Sequence, residues 1–251
     1  MTNVMVVTGG SRGIGAATAT LAAARGYAVI VNYADNVAAA EAVCHNIRAA
    51  AGIAQAVRGD VADPADIEHI FAAADRLGTL TALVNNAGVI NPVTCVADMD
   101  AGRINRLLAV NVTGTILCTQ AAIRRMSSRH GGKGGGIVNL TSGAAKLGGA
   151  GSYVDYAASK GAIDTLTIGL ALELAGEGIR VNAVRPGIID TEFHAAGGEP
   201  DRAARMAASI PMPRAGTAEE VAQAILWLLS DEASYTTGTT IDVTGGRAIT
   251  P

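Results

Sequence analysis

Apolar residues along this chain come in short uninterrupted runs, separated by longer alanine-rich stretches. The runs Val4–Thr8, Ala28–Asn32, Ala54–Arg58, Leu80–Asn85, Ile137–Thr141, Arg180–Arg185 and Thr240–Val243 read as strands. The stretches between them read as helices: about Gly13–Arg25, Val37–Ala50, Asp100–Val110, Gly114–Arg129, Tyr153–Gly176 and Ala218–Leu229. A further helix is capped by Asp63-Pro64 and runs to about Leu77, since Asp accepts from first-turn N–H groups and Pro suits the first helical position. Strands without polar alternation, each followed by a helix, predict a parallel sheet buried on both faces. The expected fold is α/β, a single doubly wound Rossmann domain over residues 1–251. No boundary or internal repeat divides the pattern.

Two segments break the rhythm. His130–Gly136 (HGGKGGG) reads as a flexible helix-to-strand connection, with phosphate binding as the alternative. Ile188–Gly216 carries Gly197, Gly198, Pro200, Pro211 and Pro213. A connection that long in a compact α/β domain is expected to be a substrate lid.

Composition narrows the function. With 49 % apolar residues and only 3 % aromatic ones, the chain can enclose a site, and it favours close helix–sheet packing over large rings. The net charge of −3 comes with no basic run, which argues against a nucleic-acid partner. Cys44, Cys95 and Cys118 share no ligand-like spacing with histidines, so they are expected to be small buried residues and no metal is expected. An apolar strand begins at Val4, and no apolar run approaches the ~18 residues of a membrane span. A soluble, cytoplasmic protein without a signal peptide is expected.

The first strand leads through Gly9, Gly10, Ser11, Arg12, Gly13, Ile14 and Gly15 straight into a helix. Such a tight turn lets backbone N–H groups at the helix start face a pyrophosphate. At the end of the second strand, where an acidic residue would bind the ribose hydroxyls of NAD, stand Asn32 and Tyr33. A neutral amide does not repel a 2′-phosphate, and Arg12 offers a cation. NADP is therefore expected, with NAD possible because Asp35 is close and no second arginine is evident in this segment.

Tyr156 and Lys160 lie four apart at the start of a helix, hence on one face, with Ser142 upstream at a strand end. A free phenol has a pKa near ~10, and a neighbouring ammonium and an oxidised nicotinamide ring would both lower it toward useful proton exchange. Ser142 would hydrogen-bond the substrate oxygen as its charge changes. Tyr153 has Ala157, not lysine, at its i+4 position.

These motifs, in this order, resemble the short-chain dehydrogenase/reductase family over essentially the whole chain. They comprise TGGSRGIG, Asp60-Val61, the NNAG of Asn85–Gly88, Asn111 in VNVTG, Ser142, Tyr156 with Lys160, and Pro186-Gly187 leading to Thr191. The resemblance implies that Asp60 and Val61 contact the adenine and that Asn86, Ala87 and Gly88 line the cofactor. It also implies that Asn111 holds a water linking Lys160 to solvent, and that Lys160 binds the nicotinamide ribose. Pro186, Gly187, Ile189 and Thr191 would set the nicotinamide face. Asn111, Ser142, Tyr156 and Lys160 would form the catalytic set.

The implied reaction is hydride transfer between nicotinamide and an alcohol or ketone. The segment YVDYAASKGAIDTLTIGLALEL is similar to the glucose 1-dehydrogenase-like branch, which suggests a sugar or polyol. A 3-oxoacyl-carrier-protein reductase is the alternative, although no basic patch awaits an acidic carrier. A non-catalytic nucleotide-binding regulatory protein would show a damaged catalytic set, and here the set is complete. Phe193 and His194 in the lid are candidate substrate contacts, His194 reading first as a solvated residue. A homotetramer is expected, as in many family members, through small residues that include Ala121, Ala122, Ala162 and Gly169, with a second contact near Trp227.

Overall fold

The computed structural model describes residues 2–248. Seven strands form one sheet: β1 Asn3–Val7, β2 Ala28–Tyr33, β3 Ile53–Arg58, β4 Thr79–Asn85, β5 Gly135–Leu140, β6 Ile179–Pro186 and β7 Thr240–Val243. Their order is β3-β2-β1-β4-β5-β6-β7, and every neighbouring pair is parallel. The chain reverses direction across the sheet between β1 and β4, which opens a crevice at the carboxyl ends of those strands.

The helices are α1 Gly13–Ala24, α2 Val37–Ala49, α3 Pro64–Leu77, α4 Ala101–Leu108, α5 Thr115–Met126, α6 Ala144–Leu147, α7 Val154–Leu174, α8 Phe193–Ala196, α9 Arg202–Met206 and α10 Ala218–Leu229. Helices α3, α5 and α7 bury Phe71, Met126 and Leu174 on one face of the sheet. On the other face α1, α2 and α10 bury Ala22, Ile47 and Leu228. Strands covered on both sides need no polar alternation, which explains the sequence pattern. Asp63 caps α3 by accepting from Ala65 N, as its sequence predicts.

Several expectations need correcting. Between α4 and α5 the chain does not break but passes through a π-helical turn, Ala109–Gly114. The resulting Ala101–Met126 run is long and apolar enough, by length and composition, to cross a membrane. Half of its most apolar window is buried against the rest of the protein, and Arg103 and Arg106 sit on it, so it reads as a core helix. The HGGKGGG segment is packed rather than loose: a Cβ on Gly135 would lie 2.2 Å from the Thr81 carbonyl oxygen. Cys44 and Cys118 are buried, but Cys95 is exposed. Ala121 and Ala122 belong to the core and are not available as a contact stripe, whereas Ala162 and Gly169 are exposed alongside Ile168 and Leu172.

Candidate active site

The glycine turn after β1 is shaped by close backbone approach. A Cβ on Gly15 would lie 2.3 Å from the Gly9 carbonyl oxygen, and one on Gly9 would lie 3.0 Å from Ala87 Cα. Arg12, the N-cap of α1, makes no side-chain cap hydrogen bond. The first-turn N–H groups of this twelve-residue helix thus have no capping side chain and point at the crevice, a fit for an anionic pyrophosphate. Ser11 and Ile14 occupy this turn, and Thr191 touches it, its Cγ2 lying 3.2 Å from where a Gly13 Cβ would stand.

Side chains beneath the turn fix it. Thr8 Oγ1 donates to the Val84 carbonyl and accepts from Asn86 N and Ala87 N. Asn86 Nδ2 donates to the carbonyls of Thr8 and Gly9, both at 2.9 Å. Asn86 therefore clamps the turn as much as it lines the crevice. Sequence reasoning missed Thr8, whose only signal is a hydroxyl at a strand end beside a glycine pair.

Asn32 departs most from expectation. It is 1 % exposed, accepts from Gly9 N at 3.2 Å and donates to the carbonyls of Val57 and Gly59. Its side chain ties the glycine turn to β2 and β3 and does not face a ribose. The rim of the crevice is formed instead by Ala34, Asp35, Arg58, Asp60, Asp66 and Arg106, around a space of about 420 Å³. Tyr33 is half-buried and packs on the α1/α2 side of the sheet.

Arg58 brings the second arginine that the Asn32–Asp35 segment lacks. Its Nε donates to the Ala34 carbonyl at 3.2 Å, because β3 pairs with β2 and ends beside it. Arg12 instead pairs with Glu192 at 3.1 Å, with both side chains largely exposed. Asp60 is held by Arg106 at 2.7 Å and accepts from Ala62 N. Burial raises its pKa, but these bonds outweigh burial and leave it below the usual carboxylate value. Val61 is 5 % exposed and packs into the core, so its side chain does not line the crevice.

Across the crevice, α7 carries Tyr156 and Lys160 with both side chains buried. Ser142, just past β5, stands beside the Tyr156 phenol, where it acts to lower the phenol pKa, and accepts from Ala144 N. Lys160 Nζ donates to the Leu140 carbonyl at 2.6 Å and lies 5.8 Å from the centre of the Tyr156 ring. The expected lowering of the phenol pKa is not produced by the protein alone. Burial pushes Tyr156 up to about 12, which Ser142 only partly offsets. Burial likewise pulls Lys160 down to about 8, against the attraction of Asp164.

Asn111 sits in the π-turn, fully buried. Its Oδ1 accepts from Val89 N, and its Nδ2 donates to the Val89 carbonyl and to Ser159 Oγ. A Cβ on Gly88 would lie 3.4 Å from Asn111 Oδ1 and 3.6 Å from Lys160 Nζ, so the two groups border one small space.

The comparisons agree with this geometry. The family model described as enoyl-(acyl carrier protein) reductase matches residues 9–248. The chain belongs to the short-chain dehydrogenase/reductase family. It is 56 % identical to the uncharacterized oxidoreductase YgfF of Escherichia coli, over 97 % of this chain and 99 % of that protein. It is 36 % identical to glucose 1-dehydrogenase 2 of Bacillus subtilis, over 98 % and 95 % of the two chains. A dehydrogenase/reductase from Sinorhizobium meliloti superposes with a TM-score of 0.89 at 32 % identity, covering 99 % of this chain and 95 % of its own. The protein is thus an oxidoreductase of this family, whose members use NAD(H) or NADP(H).

In this short-chain dehydrogenase/reductase, Pro186 ends β6 and Gly187 packs on Thr244, where a Cβ would lie 2.7 Å from its Cα. The segment expected as a lid begins later than its composition suggests. Ile188 and Ile189 are buried, and Ile189 bridges Gly216 in parallel, with Asp190 N donating to the Gly216 carbonyl and Gly216 N to that of Ile188. The excursion proper is 190–215, and it contains α8 and α9. Phe193 packs 5.8 Å from the Tyr156 ring centre, and half-buried His194 lies behind it. Tyr153 Oη donates to Glu199 at 2.6 Å, and Glu199 also pairs with Arg202 and Arg205.

One further contact went unread in the sequence. Asp155, adjacent to Tyr156, forms a buried ion pair with Arg103 at 2.8 Å, and Arg103 also donates to the Pro92 carbonyl and Thr94 Oγ1. The pair ties the loop after β4 to the start of α7. Its partners lie 52 residues apart, so no local pattern marks it.

Proposed function

We propose that the protein is an NADP(H)-preferring alcohol/carbonyl oxidoreductase in which Tyr156 exchanges a proton with the substrate oxygen. The observation that carries the reading is a buried phenol one helical turn from a buried lysine, with Ser142 beside the phenol lowering its pKa against the effect of burial. The nicotinamide, when bound, accepts or supplies the hydride. Ser11, Arg12, Gly13, Ile14 and Gly15 would hold the pyrophosphate by backbone N–H groups. Gly9, whose own N–H is spent on Asn32, would allow its close approach, and Asn86, Ala87 and Gly88 would continue that wall. Lys160 stands where a ribose hydroxyl would replace its Leu140 partner, and Asn111 beside it supports a water-borne proton path. Because burial alone holds the phenol near 12, ionisation at working pH requires added positive charge beside it.

Preference for NADP is supported by Arg58 on the rim at the end of β2 and by Arg12 in the glycine turn; Asp35 on the same rim opposes it. The substrate class favoured is a small polar alcohol or carbonyl compound, with 190–215 as its lid. A homotetramer is proposed from the exposed apolar residues Ile116, Ile168 and Leu172, and a cytoplasmic location accords with the composition.

Two measurements test the reading. Tyr156→Phe should lower single-turnover hydride transfer by roughly 10²–10⁴-fold while cofactor affinity barely changes. Near wild-type transfer would remove Tyr156 from the chemistry. Arg58→Ala and Arg12→Ala should each weaken NADP selectively, by about 1–3 kcal/mol for a charge-assisted contact. Equal wild-type affinity for NADP and NAD, by calorimetry, would end the preference.

A further inference from the structure

The segment after β7 places an arginine where neither the glycine motif nor the Tyr156 region points. Ala248 is 1 % exposed and lies 3.4 Å from where a Cβ on Gly143 would stand, beside Ser142. Gly245 and Gly246 pack on Ile210, Pro211 and Met212 of the 190–215 excursion, and Met212 N donates to the Gly245 carbonyl. Arg247 is therefore held between the Ser142–Gly143 turn and the excursion that covers the cleft. It is half-buried and makes no side-chain hydrogen bond or ion pair with the described residues.

A second guanidinium is close enough to repel it. Arg202 stacks on Tyr153, 5.1 Å from the ring centre, one turn before Tyr156 on the same helix. Burial, then repulsion from Arg202, lowers the Arg247 pKa. Glu199 is shared among Tyr153, Arg202 and Arg205, so its carboxylate is not free to pair with Arg247. His194 is held below its ordinary value first by burial and then by Arg202, against the attraction of Glu199 and Asp190. A partly buried cation without a partner, as Arg247 is among the described residues, is unfavourable unless an anion arrives to pair with it.

We propose that Arg247, assisted by Arg202, binds an anionic group on the substrate, so that the reacting alcohol or ketone belongs to a small hydroxy or oxo acid. A planar guanidinium pairs bidentately with carboxylate or phosphate, which would also fix the orientation of the reacting carbon. The inference rests on the oxidoreductase reading above and sharpens its substrate class. It predicts that a neutral sugar is the poorer substrate.

The test uses the full-length protein and matched pairs: 3-oxobutanoate against its methyl ester, and dihydroxyacetone phosphate against dihydroxyacetone. The wild type should favour one charged member by on the order of 10-fold or more in kcat/KM, and which pair shows it separates carboxylate from phosphate. Arg247→Met should collapse that ratio on the order of 10–100-fold, and Arg247→Lys should keep part of it. Calorimetry with the favoured acid gives a readout independent of turnover: binding should be present in the wild type and weakened by a similar factor in Arg247→Met. A wild type that prefers the neutral members, binds neither acid, or keeps its ratio in Arg247→Met overturns the proposal. Turnover of the neutral members that is abolished by Tyr156→Phe would leave the oxidoreductase reading standing even then.

Discussion

The glycine turn with its supports and the 190–215 excursion border the same crevice and are built on opposite terms. The turn is fixed by buried neutral hydrogen bonds from Thr8, Asn32 and Asn86 to main-chain atoms, and by contacts too close for any Cβ. The excursion rests on a small apolar cluster of Ile188, Ala203 and Ile210. It is otherwise tied by ion pairs, exposed in Arg12 with Glu192 and Arg214 with Glu220 and partly buried in Glu199 with Arg202 and Arg205. Exposed ion pairs are worth little and weaken with salt, whereas buried amides resist both solvent and displacement. The difference teaches where this fold keeps fixed geometry and where it leaves geometry adjustable. The wall proposed for a cofactor is rigid, and the wall proposed for a substrate is not.

The strongest challenge to that contrast is at the buried pair on the rigid side. Asp155→Asn leaves Arg103 inside the protein without its carboxylate, and breaking a buried pair typically costs about 3–5 kcal/mol. Chemical denaturation should show a loss of that size, accompanied by slower hydride transfer as the start of α7 shifts. A loss below about 1 kcal/mol would mean that the pair behaves like those of the excursion.

A smaller effect concerns pH. Lys160 is held at about 8, below its ordinary 10.5, so between these values the unfolded chain carries a proton that the folded one lacks. Stability then rises with pH across that window. Tyr156, raised to about 12 from 10.0, holds its proton longer when folded and opposes the rise above pH 10. Burial also pushes the Cys44 and Cys118 thiols up, to about 11 and about 12, and these oppose the rise from about pH 9. The gain is therefore read as a difference: between pH 8 and 10 the cofactor-free wild type should gain on the order of 1–3 kcal/mol relative to Lys160→Met. A parallel pH profile for both proteins would contradict a buried ammonium.

The smallest expected change is on the adjustable side. Tyr153→Phe removes the hydroxyl that holds Glu199, and global stability should move by under about 1 kcal/mol. Hydrogen exchange in 190–215 should quicken nonetheless, and should slow again when cofactor and substrate are both added. Unchanged exchange in all of these states would count against a lid.

How much was legible in the sequence follows the same division. Strands and helices of the sheet stand within two residues of their predicted limits, save α5, which ends three residues early at Met126, and α10 matches residue for residue, because burial on both faces imposes continuous apolar runs. Helices α8 and α9 were not foreseen: four and five residues among glycines and prolines carry no periodicity to read. Asn32 was placed correctly at the end of β2 but faces inward, since a strand buried on both sides gives no alternation from which to tell its faces. Arg58 became visible only with the strand order, which sets the end of β3 beside the end of β2. The phenol–lysine pairing was legible from its spacing, but not the balance of charge around it, because burial depends on the whole fold.

The bridge between Ile189 and Gly216 has a consequence for the history of such a protein. It brings the two ends of the excursion together just beyond the end of β6, outside the sheet, so that everything between them is a loop already closed. Changing the length of a closed loop costs little, roughly 0.6 kcal/mol for each doubling. A lineage can therefore lengthen, shorten or rewrite 190–215 and acquire a new appetite for substrates while the hydride-handling floor beneath it stays as it was.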